Sequence, residues 1–204
     1  MAIREIVTWP DPVLKQKCTD VLQFDSELHA LLDDMAETMA TSDGIGLAAN
    51  QVAVPLRIFV MDVPVGDPDE PRSQCLADGR QATRTGRIEI INPRIVAARG
   101  ETRYEEGCLS FPGVHEFVNR SAEIDVEFQD RVGVRMRLTA RGLVAICMQH
   151  ELDHLDGITF LDRLSPLKRR IAMRDYLREN RELIEDAQFK AKARSRRSSS
   201  QAAS

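Results

Sequence analysis

Between Ala145 and Gly157 the chain reads AICMQHELDHLDG, with His150 and His154 four residues apart and Glu151 directly after the first histidine. On a helix of 3.6 residues per turn, positions i and i+4 share a face, so both imidazoles can address a single ion. Glu151 is rotated by about 100° from His150, close enough to reach a water on that ion without being a ligand. His-Glu-x-x-His is the pattern of metallohydrolases, in which the ion lowers the pKa of water toward neutrality and the carboxylate takes its proton.

The alternative is an accidental match on a wet surface helix, and the neighbouring residues argue against it. Leu143, Ile146, Cys147, His150 and His154 fall at i, i+3, i+4, i+7 and i+11, so the histidines continue the apolar face. Two histidines without partners there would be costly, whereas two metal ligands would be satisfied. A catalytic site needs a third protein ligand and a position left for water. From the residues alone the candidates are His29, His115, a carboxylate or a cysteine. In YEEGCLSFPG, Cys108 follows a glycine and precedes a bend with Ser, Pro and Gly, a setting that presents a thiolate well. Cys147 stands one turn before His150 and could line a pocket wall, while Cys18 and Cys75 lie in loop-like sequence. Spacing leaves that choice open.

The elements that must position these residues are legible in part. Leu28, Leu31, Leu32, Met35 and Met39 share one helical face, with Asp25 as the expected N-cap of a helix over residues 25–41. The glycine-bearing turn SDGIGLAANQV leads to a strand at RIFVMD, and residues 63–87, rich in Pro, Gly and Asp, read as a long surface loop. RIEIINP and RIVAA read as two strands. In SAEIDVEFQDRVGVRMRLTA, apolar residues alternate on both sides of DRVG, which predicts a β-hairpin with one buried face. A helix is expected from about Ala140 to Leu155, and Ser165-Pro166 has the chemistry to start a last helix running to about Ala187. Strands followed by helices, without βαβ alternation, predict an α+β domain of antiparallel or mixed strands around a central metal-binding helix.

Composition excludes other classes. With 43% hydrophobic and 29% charged residues the chain is an ordinary globular one. No apolar run approaches the ~18–20 residues of a bilayer span, and MAIREIVTWPDPVLKQK has neither a signal-like apolar region nor transit-peptide character. The four cysteines are scattered, which favours free thiols and a cytoplasmic setting. From Ala187 to Ser204 there are five basic residues and no acids, in a chain of net charge -4. We therefore expect a catalytic domain over 1–187 and a basic, disordered tail over 188–204, with an anionic partner such as RNA as the tail's functional alternative.

GIGLAANQV (44–52), EGCLS (106–110) and QHELDH (149–154) occur together and in this order. The set resembles the peptide deformylases, hydrolases that remove the formyl group from N-formylmethionyl chains leaving the ribosome. SPLKRR after the metal helix also fits, and the resemblance extends from about Ile6 to Arg170, with 63–87 longer than in many bacterial members. It implies that Cys108, His150 and His154 ligate the metal and that Glu151 is the general acid/base. Gln51 and the backbone N–H of Leu109 would stabilise the oxyanion, and Gly46 would receive the substrate backbone. Ile45, Tyr104, Leu143, Ile146 and Cys147 would line the methionine pocket, in agreement with the helix face read from spacing. The resemblance further implies Fe²⁺ in cells; Cys-His-His chemistry also admits Zn²⁺, Ni²⁺ or Co²⁺.

One position departs from the pattern. His115 stands where many bacterial members carry arginine, while Arg120 matches a recurrent family arginine. We expect His115 on a surface loop, with peptide contact as the other reading. Two further classes stay in view: a zinc peptidase drawing its third ligand from Asp162, Glu179 or Glu182, and an RNA- or ribosome-binding protein with a purely structural metal. The intact GIGLAANQV and EGCLS segments disfavour the first; Glu151 and Gln51, unnecessary to a structural site, disfavour the second. Lys168, Arg169, Arg170, Arg174, Arg178 and Arg181 crowd the last helix, and in the family a basic C-terminal helix is associated with ribosome docking. Asp175, Glu179 and Glu182 make an intrahelical salt-bridge face the alternative. Neither a membrane nor DNA is expected as a partner.

Overall fold

The stripe at Leu28, Leu31, Leu32, Met35 and Met39 folds as helix α1 (Ser26–Thr41), and the Asp25 carboxylate caps it by accepting from the N–H groups of Glu27 and Leu28, both at 3.0 Å. The structure, a computed structural model, describes residues 2–63, 74–77, 80–83 and 87–201. Among the described residues nine strands follow in chain order: β1 (Gly46–Ala48), β2 (Ile58–Met61), β3 (Gln74–Ala77), β4 (Arg80–Thr83), β5 (Ile88–Arg99), β6 (Thr102–Gly107), β7 (His115–Arg120), β8 (Glu123–Gln129) and β9 (Arg135–Arg141). Seven of them form one antiparallel sheet in the order β1-β2-β5-β8-β9-β3-β4, and β6 pairs with β7 as a separate hairpin. Helix α2 (Gly142–Leu155) comes next, then α3 (Pro166–Glu179) and α4 (Arg181–Gln201). The α+β expectation holds.

Period-two alternation explains the layering. On β2, Phe59 and Met61 pack toward α2, while Ile58 and Val60 pack toward α1, so this short strand is buried on both faces. The expected β8–β9 hairpin forms with Ile124 opposite Ala140, Val126 opposite Leu138 and Phe128 opposite Met136. Its inner face meets Ala145, Cys147, Met148, Leu152 and Leu155 of α2. Every residue of α2 from Ala145 to Leu155 is buried. A helix so enclosed must pair each polar side chain it carries.

Several expectations are corrected. The glycine-bearing turn contains strand β1, short enough to be masked by its glycines. RIEIINP and RIVAA form the single strand β5, whose register shifts against β8 absorb Asn92 at φ 52° and the following proline. The segment 63–87 is not loop throughout, since β3 and β4 extend the sheet beyond β9; residues 64–73, 78–79 and 84–86 lie outside the described residues. Of the buried positions on strands β6 and β7, Glu106 and Arg120 are charged and Val118 alone is apolar, too few to give an apolar alternation.

The last helix also differs. It breaks at Asn180, whose side chain reaches the Pro112 carbonyl, so the basic residues from Lys168 to Arg181 do not share one helix. The break turns Ile184 onto a cluster with Phe111, Phe160 and Tyr176. Beyond it α4 continues through Gln201, where the sequence reading placed a disordered tail; residues 202–204 lie outside the described residues. The tail's charges find distant acids that local composition could not reveal: Lys190 pairs with Glu5, and Arg194 with the buried Asp11. Among the described residues no helix is long and apolar enough to cross a membrane.

Candidate metal centre and active cleft

Strand β6 ends at Gly107, and the next residue, Cys108, faces the metal-motif helix α2. Its Sγ lies 3.2 Å from Nε2 of His154. Among the described residues, Cys108, His150 and His154 form the cluster of potential ligands tight enough for one ion, with donor atoms all within 4.8 Å of one another. An ion about 2.1 Å from an imidazole nitrogen and about 2.3 Å from a thiolate, in tetrahedral geometry, sets S and N roughly 3.6 Å apart. The thiol and imidazole pair therefore suit a divalent cation in both chemistry and spacing. His150 is turned to present Nε2 because its Nδ1 meets Oε2 of Glu106 at 2.8 Å.

The other ligand candidates stand outside this cluster, although His115 and Cys147 line the cleft beside it. His29 bonds through Nε2 to the Arg131 carbonyl at 2.7 Å. Cys18 is buried in the main core, and burial raises its thiol to about 11. Asp162 pairs with Lys15 and Arg169, and Glu179 with Arg178. His115 is an exposed residue of β7 rather than of a loop, stacked so closely on Gly107 that a Cβ there would come within 2.9 Å of its ring.

Glu151 stands beside this cluster. It is 4% exposed, its Oε2 is buried without a hydrogen-bond partner among the described residues, and burial pushes its pKa up to about 7. Such a carboxyl is suited to exchanging protons near neutrality. Gly46 explains part of its seclusion: a Cβ there would lie 2.4 Å from Glu151 Oε1 and 2.8 Å from Cys147 Sγ. Only glycine lets the β1 edge approach so closely. Gln51 sits in the 3₁₀ turn Ala49–Val52 that follows β1, and the N–H of Ala48 donates to its Oε1 at 2.8 Å. That bond fixes the amide, directing Nε2 to Ser110 Oγ at 3.2 Å and toward Cys108 Sγ at 3.6 Å.

These groups open onto a cleft of about 450 Å³. Ile45, Gly46, Tyr104, Leu143, Ile146 and Cys147 line it, as do Gln51, Leu109, His150 and Glu151. The three sequence motifs thus converge on one cavity, and its apolar wall suits an apolar side chain.

Sequence reading missed most of the polar support. Glu106 accepts from Arg120 Nε at 2.7 Å and Nη2 at 2.9 Å, while Arg120 Nη1 donates to Asp153 at 2.6 Å. Burial alone would raise Glu106, yet Arg120 and His150 outweigh it and hold the carboxyl down at about 2. Asn50 Nδ2 donates to the His154 carbonyl at 2.7 Å and joins the 3₁₀ turn to α2.

Fold and cleft together have the form of a hydrolase of the His-Glu-x-x-His type, with a candidate metal cluster that includes a cysteine from outside the helix. The polypeptide deformylase family profile matches residues 3–170. A peptide deformylase of Novosphingobium aromaticivorans is 46% identical over 179 residues, covering 85% of this chain and 95% of its own. The crystal structure of a Legionella pneumophila peptide deformylase superposes with a TM-score of 0.75 at 41% identity, over 89% of this chain and 98% of that one. One from Ehrlichia chaffeensis gives 0.78 at 38% identity, over 89% and 98%. The chain belongs to the polypeptide deformylase family. The family's activity, metal-dependent removal of the formyl group from N-formylmethionyl nascent chains, is the activity of this chain.

Proposed function

We propose that Cys108, His150 and His154 hold the catalytic ion and that Glu151 is the general acid/base of deformylation. The observation that carries this reading is the Cys108 Sγ to His154 Nε2 separation of 3.2 Å, beside a buried glutamate with one unpartnered oxygen. A divalent ion bound there supplies Lewis acidity, acidifying water and polarising the formyl carbonyl. Glu151 takes the proton of the attacking water and returns it to the departing amine, releasing formate and a free α-amino group. The Gln51 side-chain amide, held by Ala48, and the Leu109 N–H donate to the developing oxyanion. Gly46, on the unpaired edge of β1, bonds the substrate backbone, and the methionine side chain enters among Ile45, Tyr104, Leu143, Ile146 and Cys147.

Formate release from formyl-Met-Ala-Ser tests the assignment. Glu151→Ala is expected to lose activity and keep metal, whereas Cys108→Ala loses both. Retention of metal and rate by Cys108→Ala would overturn the ligand set. Fe²⁺ is the proposed ion in cells, with Zn²⁺, Ni²⁺ or Co²⁺ as substitutes. A thiolate at an open ferrous site is open to oxidation, so the iron form loses activity faster in air than under nitrogen; equal lifetimes would count against iron.

The catalytic unit on this reading extends to about residue 187, since Ile184 and Ala187 are the last buried positions among the residues whose burial is described. We further propose a cytoplasmic enzyme that meets its substrate at the ribosomal exit through the basic residues of α3 and α4. Arg174 and Arg178 are engaged by Asp175 and Glu179, as an intrahelical charge face would have them. The docking surface therefore falls to Arg170, Arg181, Lys192 and Arg196. Unchanged ribosome co-sedimentation after truncation at Ser165 would remove this part of the proposal.

A further inference from the structure

The charges that hold His150 do not stop at Arg120. Arg163 closes the 3₁₀ turn Phe160–Arg163, beyond the end of α2, and its Nε donates to Asp153 Oδ2 at 3.0 Å while Nη2 donates to Oδ1. That same Oδ2 accepts from Arg120 Nη1, Arg120 forks onto Glu106, and Glu106 accepts from His150 Nδ1. Asp153 lies three residues after His150 on the same helix, so the chain of bonds leaves α2 and returns to it. We propose that Arg163 is a positioning residue of the metal centre, acting through Asp153, Arg120 and Glu106 on the ring of His150. The inference rests on the reading of His150 as a ligand.

Two arguments carry it. The first is charge. Glu106, Arg120 and Asp153 have side chains no more than 9% exposed, and together they carry an excess negative charge that Arg163, 45% exposed, neutralises. Without it, Asp153 becomes a buried carboxylate with one cation to share, an arrangement that low-dielectric surroundings penalise. The second is geometry. Arg163 grips both oxygens of Asp153 and so fixes the carboxylate plane. A carboxylate free to pivot loosens Arg120, and through it Glu106, two residues before the sulfur of Cys108 on β6. The loop of bonds therefore sets both the His150 ring angle and the distance between the hairpin and α2. Arg163 acts from outside the cleft: with Arg57 and Arg94 it lines a separate groove behind α2.

The test is the rate at which a chelator strips Zn²⁺ from the loaded full-length protein, read beside thermal unfolding of the ion-free form. Partners directly on a ligand typically change metal affinity 10- to 100-fold; Arg163→Ala, more remote, is expected to release the ion roughly tenfold faster, at the low end of that range. Arg163→Lys recovers part of the loss. In an Asp153→Asn background, Arg163→Ala adds nothing further, because the link is already cut. Arg174→Ala, which removes an exposed ion pair to Asp175, behaves as wild type. Wild-type release from Arg163→Ala, whether or not the ion-free variant melts lower, would overturn the proposal, as would an undiminished effect in the Asp153→Asn background. A wild-type protein that takes up no Zn²⁺ would instead sink the ligand assignment itself.

Discussion

Gly46 and Glu151, far apart in the chain, are so close that a methyl group on the glycine would lie 2.4 Å from the carboxylate oxygen. The edge strand β1 and the helix α2 meet at this point with no room for a side chain, and Cys147 Sγ closes the same gap at 2.8 Å. The contact explains why a glycine-rich segment and a metal-motif helix belong to one site. On the proposed reading, the strand edge offers backbone to the substrate directly beside the group that handles protons.

Gly46→Ala should therefore damage chemistry more than structure. The added methyl must displace Glu151 or lift β1, and a misplacement of about 1 Å typically costs on the order of 10²-fold in rate. We expect kcat/KM for formyl-Met-Ala-Ser to fall by about that factor, with metal content unchanged, since the atoms nearest the new methyl belong to Glu151 and Cys147 rather than to Cys108, His150 or His154. Elemental analysis beside formate release separates the two effects. A fall in bound metal would mean that β1 supports the ligands rather than the acid/base group.

Gln51→Ala removes a donor that the protein has fixed in advance through Ala48. Loss of one oxyanion donor typically costs ~10²- to 10³-fold in kcat, and KM should hardly move because the donor acts on charge that appears in the transition state. Ser110→Ala removes only a partner of that amide, 3.2 Å away, and should cost less. If the two variants fell equally, Gln51 would be acting on the bend around Cys108 rather than on substrate.

What was legible in the sequence follows from what produces a local signal. Apolar periodicity located α1, α2 and the β8–β9 hairpin, because each buries one face against the core. It failed at β6 and β7, where the buried partners are Glu106 and Arg120, a charge pair invisible until both strands are placed. It failed again at α4, whose helix is supported by Glu5 and Asp11 from the opposite end of the chain. For the site, His150, Glu151 and His154 were readable from spacing alone, because the chemistry requires them on one turn. Cys108 was one candidate among several until the resemblance supplied the other motifs. Asp153, Asn50 and Ser110 carried no signal of their own, since their role is to hold groups from elsewhere.

Gly157 offers a stability test outside the cleft. Its φ of +71° is a left-handed conformation, and a Cβ there would lie 2.5 Å from the Lys15 carbonyl oxygen. For an ordinary residue the backbone conformation alone costs about 1–2 kcal/mol, and the clash with main chain adds to it. Gly157→Ala should lower Tm by roughly 2–8 °C or more, taking about 2–4 °C per kcal/mol for a chain of this size. Loaded enzyme below its transition should keep its kcat. An unchanged Tm would mean that the chain around Lys15 yields freely.

The last prediction concerns acid stability and a carboxylate remote from the metal. Asp125 on β8 accepts from Arg99 at 2.8 Å, from Thr139 at 2.7 Å and from Arg137 at 3.3 Å, and these donors, Arg99 foremost, bring its pKa down to about 2. An unfolded aspartate titrates near 3.9. The folded pKa is therefore the lower one, and between about pH 4 and pH 2 the unfolded chain binds a proton that the folded chain does not. The stabilisation is fully present above that window and drains away as pH falls through it. Asp125→Asn should be less stable than wild type at pH 7 and approach it toward pH 2, as read from urea midpoints at a series of pH values. Arg99 is half exposed, so added salt should shrink the difference at pH 7. A gap between the two proteins that stays constant from pH 4 to pH 2 would show that Asp125 stabilises the sheet by shape rather than by charge.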